Sequence, residues 1–113
     1  MEKTADSAQM IPVSYNVYYF SAPWCAPCQT FGPLIESVSQ DYPNANIIKF
    51  NMDEEEAQMW GLKHGVTSIP HLATDHAHEL RGAVNERVLR TWFDHVEAVE
   101  GVFNEIFNTN SGV

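Results

Sequence analysis

The chain has 113 residues, of which 44% are hydrophobic and 19% are charged. This length suits a single domain, and the composition is that of a globular protein rather than a disordered or membrane-embedded one. Fifteen acidic residues stand against six basic ones, giving a formal net charge of −9. Because the excess charge repels phosphate and the cations are scattered, we expect no nucleic-acid partner. No apolar run approaches the roughly 20 residues of a spanning helix, so no membrane partner is expected.

The beginning of the chain is polar up to Pro12 and lacks the charged and then apolar order of a secretory signal. We therefore predict a flexible segment over residues 1–12 and a single domain over residues 13–113. A cytoplasmic location and a monomeric state are expected.

The first half of the chain predicts a strand followed by a helix. Residues 13–20 are rich in valine and tyrosine, which indicates a buried strand. From residue 25 or 26 to about residue 40, apolar residues recur at helical spacing. Pro27 suits the first turn of this helix, whereas Pro33 lies in its interior and should kink it.

The second half continues the alternation of strands and helices. Residues 47–52 predict a second strand, and the acidic residues 53–56 open a short helix. Short strands are predicted over 69–73 and 79–81, before a final amphipathic helix. This order predicts an α/β fold with a mixed sheet, in which the first unit is parallel, the late hairpin is antiparallel and helices cover both faces.

The only two cysteines, Cys25 and Cys28, are three positions apart. A disulfide across so small a ring constrains little chain, so the pair favours redox chemistry or metal binding over structural cross-linking. The pair stands where a strand ends and a helix begins, and free backbone N–H groups there stabilise a thiolate. We predict that Cys25, nearer the helix start and solvent, attacks, and that Cys28, one turn inside, resolves the mixed disulfide.

Metal binding is the alternative use of the cysteine pair. Tetrahedral zinc needs four ligands, and the nearest candidates, His64 and His71, lie far along the chain at an uncommon spacing. Redox exchange without a metal or other cofactor is therefore the preferred interpretation. His76 and His78 stand beside acidic residues and could be imagined as metal ligands, but turn histidines more often face solvent.

The segment Ala22-Pro23-Trp24-Cys25-Ala26-Pro27-Cys28 resembles the active site of thioredoxins. Pro33 falls where the family kinks its active-site helix, and residues 65–70 resemble the loop that carries the family's cis-proline. Gly82 resembles the glycine that lines the substrate groove. These landmarks keep the family's order from about Val13 to Val96.

The resemblance implies a thioredoxin-like fold and a thiol–disulfide oxidoreductase that acts as a dithiol reductant of client proteins. It also implies a thioredoxin-reductase-like electron donor. By resemblance, Trp24 and Gly82 contact the substrate, Pro70 is cis beside the cysteines, and the Ile69 backbone pairs with an extended client peptide. The alternative for Pro70 is an ordinary trans proline at a strand start. Supporting roles fall to Pro27, Pro33, Lys49 and Tyr19.

The sequence departs from the family's pattern at Tyr19, which stands where thioredoxins bury an aspartate that takes up the proton of the resolving thiol. Lys49, which resembles the lysine partner of that aspartate, is retained. The proton of Cys28 must then be taken up by water, by Lys49 or by the Tyr19 hydroxyl. We therefore expect Cys28 to resolve the mixed disulfide more slowly. Ser21 replaces a common second tryptophan, which makes the rim of the groove less bulky.

Another departure is His71, which directly follows Pro70. Its imidazole either stabilises the Cys25 thiolate when protonated or lies on the surface and points elsewhere.

The alternative hypothesis is that the chain is a thioredoxin-fold docking subunit of a larger assembly, in which redox turnover is secondary. Tyr19, the shortened N-terminal region and the extended apolar final helix fit that interpretation. An oxidase or isomerase is disfavoured, because the residues that flank the cysteines are those of reductants. Apolar residues past Gly101 either seal the core or form a partner surface, and core packing is expected. These residues are Val102, Phe103, Ile106 and Phe107.

Overall fold

The computed structural model describes residues 14–111, so the predicted flexible segment over residues 1–12 lies outside the described part. Residues 14–111 form four strands and three helices. The strands are β1 (Tyr15–Ser21), β2 (Ala45–Asn51), β3 (His71–Thr74) and β4 (Glu79–Arg81). The helices are α1 (Ala26–Ser39), α2 (Glu55–Lys63) and α3 (Glu86–Ser111).

The four strands form one mixed sheet in the order β2-β1-β3-β4. β1 runs parallel to β2, with Tyr15 opposite Ala45 and Ser21 opposite Asn51, and it runs antiparallel to β3. β3 and β4 form the antiparallel edge hairpin. The predicted topology is therefore confirmed, except that β3 begins at His71 rather than at residue 69, because Pro70 has no N–H to donate to a ladder.

Helices cover both faces of the sheet, as predicted. Val17, Tyr19 and Leu72 point to the face covered by α1 and α3, while Tyr18 and Phe20 point to the face that carries Trp60 of α2. Each fully buried large apolar side chain contributes about 1.5–3 kcal/mol. The residues that α1 and α3 bury in the first cluster are Phe31, Ile35, Val38, Leu89, Phe93 and Val96.

The C-terminal part of α3 projects past the sheet. At 1.5 Å per residue its 26 residues span about 39 Å, whereas the seven residues of β1 span about 23 Å. Val102, Phe103 and Ile106 are accordingly 51%, 40% and 48% exposed, so the expectation of core packing is wrong for all three. The same expectation for Phe107 concerns a side chain outside the described part. Within residues 14–111, no helix is both long and apolar enough to cross a bilayer.

A buried polar contact ties the β3–β4 turn to α3. Glu100 is fully buried, and its Oε2 lies 2.6 Å from Nδ1 of His78 and accepts a hydrogen bond from the Thr74 hydroxyl. The expectation that His78 faces solvent is therefore wrong, because an acidic side chain of α3 reaches it. No group of three or more potential metal ligands occurs among the described residues.

The imidazole of His71 is buried in the sheet, with 1% of the residue exposed. It packs edge-on against Phe20, and its Nε2 lies 3.1 Å from Oε1 of Glu79 without forming an aligned hydrogen bond. Burial lowers the pKa of His71 despite the nearby carboxylate. The interpretation that His71 lies on the surface is therefore wrong. The other interpretation, in which His71 stabilises the Cys25 thiolate, requires a protonated imidazole, and burial disfavours that form.

Acidification is expected to lower the free energy of unfolding between about pH 7.5 and 5.5, around the reference histidine pKa of about 6.5. In this window the unfolded chain takes up a proton at His71, whereas the folded chain, whose His71 pKa is lowered, takes it up only at lower pH. Urea unfolding at both pH values measures the loss. His71→Gln should lose less than the wild type, with His64, whose pKa burial also lowers, leaving a residual loss. Equal losses in the two proteins would contradict this assignment.

Candidate active site

The cysteine pair is built on the start of α1. Cys25 is the N-cap residue, with extended backbone angles, and its Sγ accepts a hydrogen bond from the backbone N–H of Cys28 at 3.3 Å. Pro27 lies in the first turn, where a missing N–H costs no hydrogen bond, and Pro33 lies inside the same helix. Cys25 and Cys28 are joined by a disulfide, with Cα atoms 5.2 Å apart. After reduction, the same N–H group stabilises a Cys25 thiolate.

The two cysteines are equally buried in this oxidised state, each with 5% of its surface exposed. The expected difference in solvent access is therefore absent from the disulfide form, because both cysteines belong to one buried cluster with Ala22, against which Ile69 packs. Their surroundings differ instead. Sγ of Cys25 lies 3.9 Å from the carbonyl oxygen of Ile69, whereas Cys28 lines a cavity together with Tyr19.

Two loops meet beside the disulfide. The Ile69–Pro70 peptide bond is cis, and the carbonyl of Pro70 accepts a hydrogen bond from the N–H of Gly82 at 2.8 Å. Gly82 has a φ of +82°, a conformation that glycine adopts without the steric penalty of a side chain. The residues that precede β3 and follow β4 are thereby held together on the side where Ile69 contacts the cysteines.

Trp24 is an exposed part of the site, with 67% of its surface accessible. Its indole Nε1–H donates to Oδ1 of Asp53 at 2.7 Å, and the backbone N–H of Asp53 donates to the Asn51 side chain at 3.0 Å. The partnership of Asp53 with Trp24 was not predicted from the sequence. The signal was present, since β1 and β2 are parallel and the residues after their carboxyl ends must meet at one edge of the sheet.

A cavity of about 460 Å³ lies behind Cys28, between β1, β2 and α1. Tyr19, Ser21, Lys49 and Glu54 line it together with the cysteine. The Tyr19 side chain is buried and places its hydroxyl oxygen 3.5 Å from the Cys28 carbonyl oxygen. Burial raises the pKa of Tyr19, so the phenol keeps its proton at neutral pH.

Lys49 stands at the exposed side of this cavity. Its ammonium forms an ion pair with Glu36 of α1, and both side chains are more than half exposed. The lysine therefore lies near the cysteines, but its charge is matched by Glu36.

The fold and the site agree with comparisons to known proteins. The model of the family Thioredoxin matches residues 7–95. The chain belongs to the thioredoxin family. It is 35% identical to the disulfide bond formation protein of Brevibacillus choshinensis over 81 residues, which are 68% of each protein. It is also 35% identical to mitochondrial thioredoxin O1 of Arabidopsis thaliana over 57 residues, 50% of this chain and 29% of that protein.

Several thioredoxins of known structure share the fold. Thioredoxin of Fasciola hepatica superposes with a TM-score of 0.62 at 28% identity, over 81% of this chain and 92% of that one. A mutant thioredoxin of Halobacterium salinarum NRC-1 superposes with a TM-score of 0.63 at 25% identity, over 74% of each chain. In sequence, the chain matches less than half the length of several of its curated relatives, from 29% to 49% of each.

Proposed function

We propose that this thioredoxin-family chain reduces disulfide bonds of client proteins by dithiol exchange. The observation that carries the proposal is the Cys25–Cys28 disulfide, closed across the first turn of α1 with Cys25 as its N-cap. A helix N-terminus lowers the pKa of a thiol placed there, which makes the thiolate available at neutral pH. The alternative function as a docking subunit is not favoured, because docking does not require a cysteine pair at the start of α1.

The exchange has two steps, and both of the chain's reacting sulfurs belong to the Cys25–Cys28 pair. The Cys25 thiolate attacks one sulfur of the client disulfide, forming a mixed disulfide and releasing the other client sulfur as a thiolate. Cys28 then loses its proton and attacks Sγ of Cys25, which frees the second client sulfur and forms the Cys25–Cys28 disulfide. Two electrons pass from the dithiol to the client disulfide, so no cofactor takes part.

The surroundings of the disulfide support a protein substrate. Trp24 is exposed and oriented by Asp53, while Ile69 packs against the cysteines and Gly82 is hydrogen-bonded to Pro70. We assign these residues to client binding, with an extended peptide segment running along Ile69. Pro27 and Pro33 would support the site through α1.

The partners belong to the same proposal. Disulfide-containing proteins are the clients, and a thioredoxin-reductase-like donor returns the oxidised pair to the dithiol. A cytoplasmic setting fits a protein that works as a reductant, because that compartment keeps thiols reduced. A monomer suffices, since both sulfurs come from one chain.

An insulin reduction assay with dithiothreitol as the electron source tests the proposal. The wild type should accelerate precipitation of the insulin B chain, and Cys25→Ser should return the rate to that of dithiothreitol alone. Circular dichroism shows whether the variant is folded. Equal rates for the two folded proteins would overturn the assignment of Cys25 as the attacking residue.

The direction of exchange is tested separately, because the Brevibacillus relative is named for disulfide bond formation. The reduction potential of the pair can be measured by equilibration with glutathione buffers. A reductant should lie near the thioredoxin value of about −270 mV, whereas an oxidant should lie near about −120 mV. We expect the former.

A further inference from the structure

The resolving step requires a group that accepts the proton of Cys28, and the cavity behind this cysteine restricts the candidates. The titratable side chains that share its lining with Cys28 are Tyr19 from β1, Lys49 from β2 and Glu54 from the loop before α2. Tyr19 holds its own proton because burial raises its pKa. Lys49 is engaged in an ion pair with Glu36, which faces it from α1. Glu54 is the one carboxylate residue among the described residues that line the cavity.

The backbone around Glu54 holds it at this position. Glu54 is the N-cap residue of α2, but its carboxylate makes no capping hydrogen bond to that helix. Its own N–H donates to the carbonyl of Asn51 at 2.9 Å, and its carbonyl accepts from the N–H of Gln58 at 3.1 Å. The loop is thus fixed by the backbone, and Glu54 lines the cavity as an exposed residue.

The cavity is large enough for water between the two groups. Its volume of about 460 Å³ is many times that of one water molecule. The small side chain of Ser21 lines it and leaves room beside Cys28. A proton can therefore pass from the thiol to a carboxylate through hydrogen-bonded water.

We propose that Glu54 accepts the proton of Cys28 through water in this cavity during the resolving step. The inference rests on the proposed dithiol exchange. The Cys28 S–H bond breaks as the proton moves to water and a proton moves from water to the Glu54 carboxylate. The resulting thiolate attacks Sγ of Cys25, the client sulfur leaves with the electron pair of the mixed disulfide, and Glu54 later returns its proton to solvent.

Stopped-flow reaction of the reduced protein with 5,5′-dithiobis(2-nitrobenzoate) separates the two steps. Attack by Cys25 releases one nitrothiobenzoate, and resolution by Cys28 releases a second at a rate independent of reagent concentration. Glu54→Gln should slow the second phase by about tenfold or more. Glu55→Gln, which removes the same charge from the neighbouring exposed position, should leave both phases within about twofold of the wild type.

The pH profile distinguishes proton transfer from a structural effect. In Glu54→Gln, the second-phase rate should rise about tenfold per pH unit, as expected when only preformed thiolate reacts, whereas the wild-type rate should rise less steeply. Ser21→Leu should also slow the second phase, because it fills the cavity. Similar second phases and similar pH profiles in the wild type and Glu54→Gln would overturn the inference. Absence of nitrothiobenzoate release from the wild type would instead overturn the proposed exchange itself.

Discussion

Replacing Cys28 with serine is expected to stop turnover at the mixed disulfide between Cys25 and the client. The first step needs only Cys25, whose Sγ remains at the start of α1. The second step loses its nucleophile, which the fold holds with its Cα 5.2 Å from that of Cys25. An intramolecular group in such a position can act at an effective concentration of about 10⁵ M or more, far above that of any added thiol. Insulin reduction should therefore fall by more than about a thousandfold.

Intact mass spectrometry checks the expected trap. Cys28→Ser mixed with a disulfide-containing client should give a one-to-one covalent adduct, which dithiothreitol releases. Cys25→Ser serves as the matched control, because it removes the other sulfur of the pair and should give no adduct. An adduct on Cys25→Ser but not on Cys28→Ser would reverse the two assigned roles.

The second large effect concerns stability rather than exchange. Replacing His78 with alanine is expected to lower the free energy of unfolding by about 3 kcal/mol, because the buried Glu100 carboxylate loses its histidine partner. The Thr74 hydroxyl still donates to the same oxygen, but the other carboxylate oxygen already has no hydrogen-bond partner among the described residues. The loss is a large part of the 5–15 kcal/mol that stabilises a typical domain. Urea unfolding at neutral pH measures it.

A double replacement tests whether an unpaired buried charge causes that loss. His78→Leu combined with Glu100→Met removes both polar partners and keeps side chains of similar size. Such apolar replacements of a buried pair are often neutral, so the double variant should recover most of the stability that His78→Ala loses. If the loss in free energy of unfolding of the double variant equals the sum of the losses of its two single variants, packing and not the Glu100–His78 contact is responsible for the lost stability.

Local features of the sequence predicted the elements and the chemistry of the site. The cysteine pair stands at the junction of a strand and a helix, and Pro27 marks the first turn of that helix. Hydrophobic periodicity likewise located α1 and α3, because the apolar residues of each helix bury one face. These predictions depend on residues within a few positions of each other, and such interactions can be recognised in the sequence.

Contacts between distant residues were missed for the opposite reason. Trp24 and Asp53 are 29 positions apart, and His78 and Glu100 are 22 positions apart. Neither contact leaves a local pattern, because each depends on how separate elements are placed in the fold. The burial of His71 was missed as well, since the register of β3 decides which side chains face which side of the sheet.

The sequence by itself determined that Cys25 and Cys28 form a redox pair at a helix start, because the chemistry of the pair lies in four consecutive residues. Only the tertiary structure decided what surrounds that pair. Tyr19 closes the cavity from β1, and Glu54 reaches the same cavity from the loop after β2, because parallel pairing of the two strands brings their carboxyl ends to one edge of the sheet. The order of elements predicted the parallel unit, but that Glu54 and Cys28 line one cavity depends on the three-dimensional placement of separate elements, which no local pattern in the sequence shows.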